Sequence, residues 1–504
     1  KGTRMGKYAK HINKGLLPIS NKAIISDIIN KTPLEFDIII AVGYKSMQVI
    51  EYCMAAHPER NFEFVTIDEY EGRGTGPGTS LLYCKEHLQR PFYFVTADCL
   101  IKDELPSLNC NWLGIHPTSI PEIYSTVRIE KGSNNIVDFR NKDKGGYDHA
   151  FIGLCGILDY KLFWDELEKN IGDTGEVVSA FDDIRKYNAQ GKILDWFDIG
   201  TIENYIRAQK VFTQKKFGIP KTSGQFLYKV NNICVKLFQD EVYNRIKRAA
   251  NLKEYAPDLT YRGKNVFAYK WIDGITLYED SLKNKLKFID WIGRAILLSS
   301  TEHWPAKLDI TSDCVKFYRN KTMLRHDTFI SGKKLSNKVN GKVYQSPEYY
   351  LNKIDWKELC DTSIPNRIFH GDMQFDNIIN TKDGFKFIDW RDTFGEQIEY
   401  GDSYYDLAKL YGGICMNYSL MKDESNYTFT NSDDGIEYSF KQDPDKEKLI
   451  KAFKNMCVAN KFDFNKIEKI TALIYLNMAP LHDKGFDYLL YYHSLSLLGK
   501  IYDK

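Results

Sequence analysis

The sequence predicts two dissimilar domains. The first, over residues 1–215, is an α/β domain with a mostly parallel sheet; the second, over 222–504, is α+β, a small antiparallel lobe followed by a helical one. Three observations predict this. Strand-like apolar runs alternate with helix-like stretches through the first 210 residues. The stretch "KKFGIPKTSG" (215–224) then interrupts the rhythm with Gly, Pro, Lys and Ser, as a linker would. Finally, 504 residues exceed the roughly 250–300 at which a single core stops growing.

Taken in order, "FDIIIAVGY" (36–44) and "FEFVTID" (62–68) read as buried parallel strands, "SLLYCKEHLQ" (80–89) as a helix and "PFYFVTAD" (91–98) as another strand. Beyond the linker, "GQFLYKVNN" and "ICVKLF" (233–238) read as antiparallel strands of a small lobe. From about 281 the apolar spacing is helical to the end, apart from strand-like pieces near 385–390. The polar stretch 421–448 reads as a surface excursion.

Composition sets limits on function. Apolar residues make up 43% and aromatics 14%, enough for real cores. With 69 basic and 67 acidic residues the net charge is +2, which leaves no electrostatic footprint for a nucleic-acid partner. None of the ten cysteines forms a Cys-x-x-Cys pair, so a zinc knuckle has no support and a reducing, cytoplasmic setting is expected. No run of 18 apolar residues and no signal peptide stand in the sequence, so no membrane partner is expected. A homo-oligomer remains open.

The chemistry of the first half begins at "KGTRMG" (1–6). Glycine at a strand-to-helix turn lets backbone N–H groups approach a phosphate, and Arg4 adds a charged fork. "NKGLLPISNK" (13–22) supplies Lys14, and Asp98 and Asp198 stand at strand ends, where α/β sheets bind ligands. Two such carboxylates suit Mg²⁺ against a triphosphate.

The order "GTRM … NKGLLPI … VGY … GTG … FVTAD … WFDIGTIENY" resembles the nucleoside-triphosphate transferases, the sugar-phosphate and phosphocholine nucleotidyltransferases, over most of residues 1–210. The resemblance implies a Rossmann-like sheet whose first strand, together with a first glycine, stands upstream of Lys1. It further implies that Gly2, Thr3 and Arg4 contact the triphosphate, that Lys14 neutralises charge at the phosphorus and that Asp98 and Asp198 hold Mg²⁺. Gly74, Thr75 and Gly76 of "EGRGTGPGTS" (71–80) match the region that closes over the base. Gly15 departs from the proline many relatives carry after the lysine.

In the second half, "FHGDMQFDNIIN" (369–380) followed by "FKFIDWRD" (385–392) combines a carboxylate for a hydroxyl with two oxygen ligands for Mg²⁺. The stretch resembles the aminoglycoside-phosphotransferase and choline-kinase superfamily, relatives of the protein kinases, over about 225–415. The resemblance makes Asp372 the catalytic base, Asn377 and Asp389 the Mg²⁺ ligands, and Lys236 the partner of the ATP phosphates. The acid that pairs with Lys236 is Glu241 or Glu254. Arg391 stands where choline kinases of this type carry an acid, and a planar cation suits a carboxylate, phosphate or sugar hydroxyls; alternatively it pairs with Asp392, Glu396 or Glu399. Trp390, Asp402 and Tyr405 complete the expected acceptor site.

Together the halves imply a bifunctional enzyme. ATP phosphorylates a small alcohol or sugar, and a second NTP, with CTP favoured, then activates that phosphate as a surface-polysaccharide or lipid precursor. A sugar kinase joined to a uridylyltransferase and a nucleotide-sensing scaffold with one inactive domain are the alternatives.

Overall fold

The computed structural model describes residues 3–143, 145–212, 224–301, 308–483 and 485–503. Two compact units emerge: Lys1–Val242 with Leu259–Trp271, and Tyr243–Asp258 with Ile272–Lys504. The longer elements of the first are α1 (Ile24–Lys31), β1 (Ile38–Val42), α2 (Ser46–Ala56), β2 (Phe62–Thr66), α3 (Pro77–Tyr83), β3 (Phe92–Val95) and β4 (Cys99–Ile101). There follow β5 (Trp112–Pro117), β6 (Ser125–Ile129), β7 (Ile136–Asn141), β8 (His149–Ile157), α4 (Tyr160–Asn170), β9 (Gln190–Ile193), β10 (Trp196–Asp198) and α5 (Ile202–Phe212). Strands β11 (Gln225–Val230), β12 (Ile233–Phe238), β13 (Leu259–Arg262) and β14 (Val266–Lys270) close the unit.

The chain is mixed α/β, but its sheet is not held mostly by parallel pairs. Parallel pairing joins β1 to β2 and β5 to β9. Strand β8 instead runs antiparallel to β3, β5 and β6, and β6 pairs antiparallel with β7. The reason is local: β5 to β8 follow one another through short connections with no crossover helix, and such connections favour antiparallel neighbours.

Strands β1 and β3 share a cavity of about 650 Å³ lined by Ile38, Ile40, Tyr93 and Val95, with Ile28 of α1 and Asp98 also on its wall. Among the described residues each of these strands has one paired edge only. Their apolar side chains, expected to be buried, are therefore mostly half-buried.

The antiparallel sheet β11-β12-β14-β13 packs on α2. The buried Glu51 carboxylate accepts the backbone N–H groups of Lys264 (2.6 Å) and Asn265 (2.8 Å). The Tyr228 hydroxyl donates to the Leu16 carbonyl at 2.6 Å, and Val235 and Val266 share one apolar cluster with Tyr52 and Ala56. The strands read as the small lobe of the second domain thus group with the first unit, which continues past the composition break at 215–222. Residues 213–223 of that break lie outside the described residues.

The second unit holds α6 (Tyr243–Leu252), α7 (Leu282–Thr301), α8 (Lys321–Ile330), the hairpin β15 (Ile378–Thr381)–β16 (Gly384–Phe387), α9 (Ser403–Cys415), the hairpin β17 (Tyr427–Ser432)–β18 (Gly435–Phe440), α10 (Lys446–Ala459), α11 (Phe464–Met478) and α12 (Phe486–Tyr502). Helix α9 is buried on every side, and α11 braces it through Thr471 on the Ala408 carbonyl (3.2 Å) and Tyr475 on the Gly412 carbonyl (2.7 Å). The polar stretch 421–448 is not a loose excursion. Its hairpin stacks Phe429 on Tyr488 and Tyr492 of α12, because alternation along β17 turns one aromatic face inward. No described helix is long and apolar enough to cross a membrane.

Candidate active sites

In the first unit, antiparallel pairing of β4 with β10 sets Asp198 opposite Cys99, directly beside Asp98. Residues 100 positions apart thereby come to neighbouring backbone positions across one strand pair. Lys14 Nζ lies 2.6 Å from Asp98 Oδ2. Asn13 fixes that lysine's loop: its Oδ1 accepts the Gly15 N–H (3.0 Å) and its Nδ2 donates to the Tyr44 carbonyl (2.8 Å), while Gln48 of α2 accepts the Asn13 N–H (3.0 Å). A proline at 15 would lack the donated hydrogen, so the departure from proline keeps that bond.

Asp198 is held by Gly200 N–H (2.7 Å), the Tyr124 hydroxyl (3.1 Å) and Asn204 Nδ2 (3.2 Å). Burial first and the Asp198 charge second push the Tyr124 phenol up to about 12, which keeps it a donor. For Asp98, burial alone would raise the pKa, but the Lys14 charge and the hydrogen bonds of Lys14 and Thr96 outweigh it and hold the carboxyl below its usual range. Arg4 is exposed and its Nη2 reaches the neighbourhood of Gly200. Gly2 lies outside the described residues, as does the Thr3 side chain.

The glycine-rich stretch has a structural duty that its expected nucleotide role did not foresee. Gly78 N–H donates to the Gly175 carbonyl at 2.7 Å, and a Cβ on Gly76 would collide with that same carbonyl. Thr75 Oγ1 donates to the Gly72 carbonyl (2.7 Å) and Thr79 Oγ1 to the Gly74 carbonyl (2.6 Å). Close backbone approach to the 172–176 loop accounts for the glycines at 76 and 78.

In the second unit, Asp372 and Asn377 meet. Asn377 Nδ2 donates to the Asp372 carbonyl (2.8 Å) and to Oδ2 (3.2 Å), so its amide oxygen is the atom it could offer a cation. Gln374 Nε2 donates to Asp372 Oδ1 (3.0 Å), and Lys409 Nζ of α9 lies 2.8 Å from the same oxygen. The turn itself is held from below. Asp406 of α9, fully buried, accepts the N–H groups of His370 and Gly371, both at 2.7 Å. Burial pushes its carboxyl up to about 7, against those two hydrogen bonds. His370 Nε2 lies 2.9 Å from the Ile388 carbonyl and Nδ1 accepts the Asp372 N–H (3.1 Å), which tethers this turn to the strand leading into Asp389. Gly371 has φ +78°, and a Cβ there would strike Arg391. Asp389 itself has φ +59°, a left-handed conformation that aspartate adopts more readily than most non-glycine residues.

Glu241, Trp390, Asp402 and Tyr405 depart from their expected roles. Glu241 is exposed and pairs with Lys264 (3.1 Å) rather than Lys236. Lys236 is buried in β12 with its ammonium over the Tyr269 ring. The Glu254 backbone carbonyl accepts from Lys386. Trp390 is core: its Nε1 donates to the Arg245 carbonyl (2.8 Å) and its carbonyl accepts from Arg245 (2.6 Å). Asp402 caps α9 and accepts from Tyr318 (2.7 Å), Ser363 (2.9 Å) and two backbone N–H groups, so it is spent on structure. Tyr405 is buried among Phe317, Phe369 and Phe394.

Lys409, Asp406, Tyr124 and Asn13 were missed by sequence reasoning. Only Lys409 and Asp406 carried a signal, as charges inside the otherwise apolar run "YYDLAKL" (404–410).

Asp98 with Asp198, and the Asn377 amide oxygen with Asp389, have the chemistry of an Mg²⁺ site, hard oxygens in small number. Among the described residues no group of three or more His, Cys, Asp or Glu is placed to hold a metal ion, so a cation would complete its shell with phosphate and water oxygens.

No protein-family model matches the chain. The chain is 25% identical over 224 residues to the bifunctional protein GlmU of Methanocaldococcus jannaschii, covering 43% of this chain and 53% of that one. The GlmU of Methanococcus aeolicus is 26% identical over 211 residues, 40% of this chain and 49% of that one. The chain thus spans about half the length of the curated relatives it matches. Similar solved structures include the CTP:phosphocholine cytidylyltransferase of Streptococcus pneumoniae (17% identical, 42% of this chain and 94% of that one, TM-score 0.37). Another is an apo UDP-glucose pyrophosphorylase (20% identical, 42% and 94%, TM-score 0.34).

Proposed function

We propose that the chain is a bifunctional transferase: the first unit transfers a nucleotidyl group to a phosphorylated small molecule, and the second phosphorylates that molecule with ATP. The observation that carries the reading is the convergence of Asp98, Asp198 and Lys14, three residues scattered over 185 positions of sequence that meet through one strand pairing and one ion pair. Similarity to the GlmU proteins over 224 and 211 residues supports it.

In the nucleotidyl step an oxygen of the acceptor's phosphate attacks the α-phosphorus of the NTP, the bond from α-phosphorus to the bridging oxygen breaks, and pyrophosphate departs with that electron pair. Lys14 would neutralise charge on the phosphoryl oxygens, and Arg4 would hold the triphosphate. Asp98 and Asp198 would hold Mg²⁺, which supplies Lewis-acid stabilisation of the developing charge. In the kinase step the acceptor's hydroxyl oxygen takes the γ-phosphoryl group, ADP leaves, and the hydroxyl proton passes to Asp372. Lys409 and Gln374 keep the Asp372 carboxylate oriented, and Asn377 and Asp389 would hold the second cation site.

The test supplies Mg²⁺ and ATP with each of CTP, UTP, GTP and dTTP against amino alcohols, polyols, hydroxy acids and sugars, following ADP and pyrophosphate separately. The expected result is pyrophosphate with one base, CTP first among the candidates, that requires both ATP and an acceptor and disappears in Asp372→Asn. Pyrophosphate that never forms, even with phosphorylated acceptors supplied, overturns the nucleotidyltransferase half. ADP formation that does not depend on acceptor overturns the kinase half.

A further inference from the structure

The three acids expected to pair with Arg391 have other partners. Asp392 lies 4.0 Å from Arg245, Glu396 lies 2.7 Å from Lys316 and Glu399 lies 3.3 Å from Lys247. Arg391 instead lies against the His-Gly-Asp turn, its N–H on the His370 carbonyl (2.8 Å) and its Nε 3.4 Å from the Gly371 carbonyl. Its guanidinium sits 5.3 Å from the centre of the Phe317 ring, and Lys321 Nζ of α8 sits 3.9 Å from the same ring and 5.8 Å from that of Tyr405. One turn further along α8, Arg325 donates to the Asn477 carbonyl (2.9 Å). Lys409, a fourth cation nearby, lies 2.8 Å from Asp372 and neutralises it.

From this we infer that the acceptor phosphorylated at Asp372 is an alcohol that also carries an anionic group, a carboxylate or a phosphate, received by Arg391 and Lys321. The inference rests on the kinase reading of the second unit. Its physical basis is a charge imbalance. Three cations gathered beside a half-buried site repel one another, and an anion between them turns that repulsion into charge-assisted hydrogen bonds. Burial first, then Arg391, Arg325 and Lys409, drive the Lys321 ammonium well below its ordinary pKa, with Asp372 opposing, as mutual repulsion requires. A quaternary ammonium would be a third cation on an aromatic floor that Lys321 and Arg391 already share.

A size-matched series tests this on the full chain: glycerol, glycerate, glycerol 3-phosphate, ethanolamine and choline, each with Mg-ATP. The expected result is a kcat/KM for ADP formation at least about tenfold higher with an anionic member than with glycerol, as one charge-assisted hydrogen bond supplies. The two anionic probes distinguish carboxylate from phosphate. In Lys321→Met and in Arg391→Gln that ratio should collapse through the KM of the acceptor, not that of ATP, while Arg391→Lys restores part of it. Choline or glycerol outperforming both anions, or an unchanged ratio in folded Lys321→Met, overturns the inference. If no acceptor yields ADP, the kinase reading fails, and thermal-shift titration of the same five compounds still decides the charge preference. Stabilisation by an anionic probe that Arg391→Gln removes would uphold it, and its absence would end it.

Discussion

The two carboxylate sites are assembled by different means, and the difference predicts how each can be broken. In the first unit the positions of Asp98 and Asp198 follow from strand register, since β4 and β10 pair so that Asp198 faces Cys99. Both carboxylates stay partly exposed, and one side of the neighbouring strand β3 opens onto a cavity. In the second unit the Asp372 turn is held by a buried carboxylate beneath it, with two of its N–H groups on Asp406 and helix α9 enclosed on every side. Register tolerates exposure. A buried charge does not, because losing a partner leaves polar atoms stranded away from water.

The largest effect follows from removing the shared charge of the first site. Asp98→Asn and Asp198→Asn should each lower pyrophosphate release about 10²- to 10³-fold, the range seen when one preorganised electrostatic group is lost. Melting temperature should change little, since neither side chain is deeply buried. Pyrophosphate release within threefold of wild type would break the assignment.

Next in size is the support of the second site. In Asp406→Ala the His370 and Gly371 N–H groups lose their buried acceptor, which should cost about 2–4 kcal/mol by denaturant unfolding and abolish ADP formation. The pH dependence has a definite sign. Burial raises this carboxyl to about 7 in the folded chain, so the folded state binds the proton more tightly than the unfolded one. Stability from this group is full below about pH 4 and falls as pH rises toward 7. Unfolding profiles of wild type and Asp406→Asn should therefore differ in slope across that window; parallel profiles would rule out Asp406 as its source.

Much of the first site was legible in sequence because strand-end aspartates and a lysine-glycine turn are local signals, and pairing then joins them. Glu241 misled because proximity to Lys236 in sequence says nothing about which strand turn it faces; Lys264, across the sheet, takes it. Trp390 and Asp402 misled for a related reason. They flank the functional turn, and residue type cannot tell a side chain that lines a site from one that seals the core behind it. Sheet direction was misread because a short apolar run looks the same in either orientation, and only the lengths of the connections between β5 and β8 separate the two. The four strands 225–270 were identified as strands, but their docking on α2 depends on Glu51, whose buried role has no sequence signature.

Glu51 gives the first unit its own counterpart of Asp406: one buried carboxylate under two N–H groups, here holding a sheet to a helix rather than the turn at His370 and Gly371. Glu51→Ala should cost about 2–3 kcal/mol in unfolding of the first unit while leaving ADP formation by Asp372 measurable. Loss of both together would mean that the units do not respond separately.

The smallest effect isolates the loop that carries Lys14. Gly15→Pro removes the N–H that Asn13 accepts and disfavours helical dihedrals at Lys14, whose residue lies in a short helical turn. The loss should be about 1 kcal/mol, visible as a slightly lower melting temperature, with a severalfold fall in pyrophosphate release because Lys14 is no longer held 2.6 Å from Asp98. Asn13→Ala removes the acceptor and leaves the backbone free, so it separates the two causes. If Asn13→Ala reproduces the activity loss, the hydrogen bond positions the lysine; if only Gly15→Pro does, the dihedral constraint is responsible and the register argument for this site must extend to the loop itself.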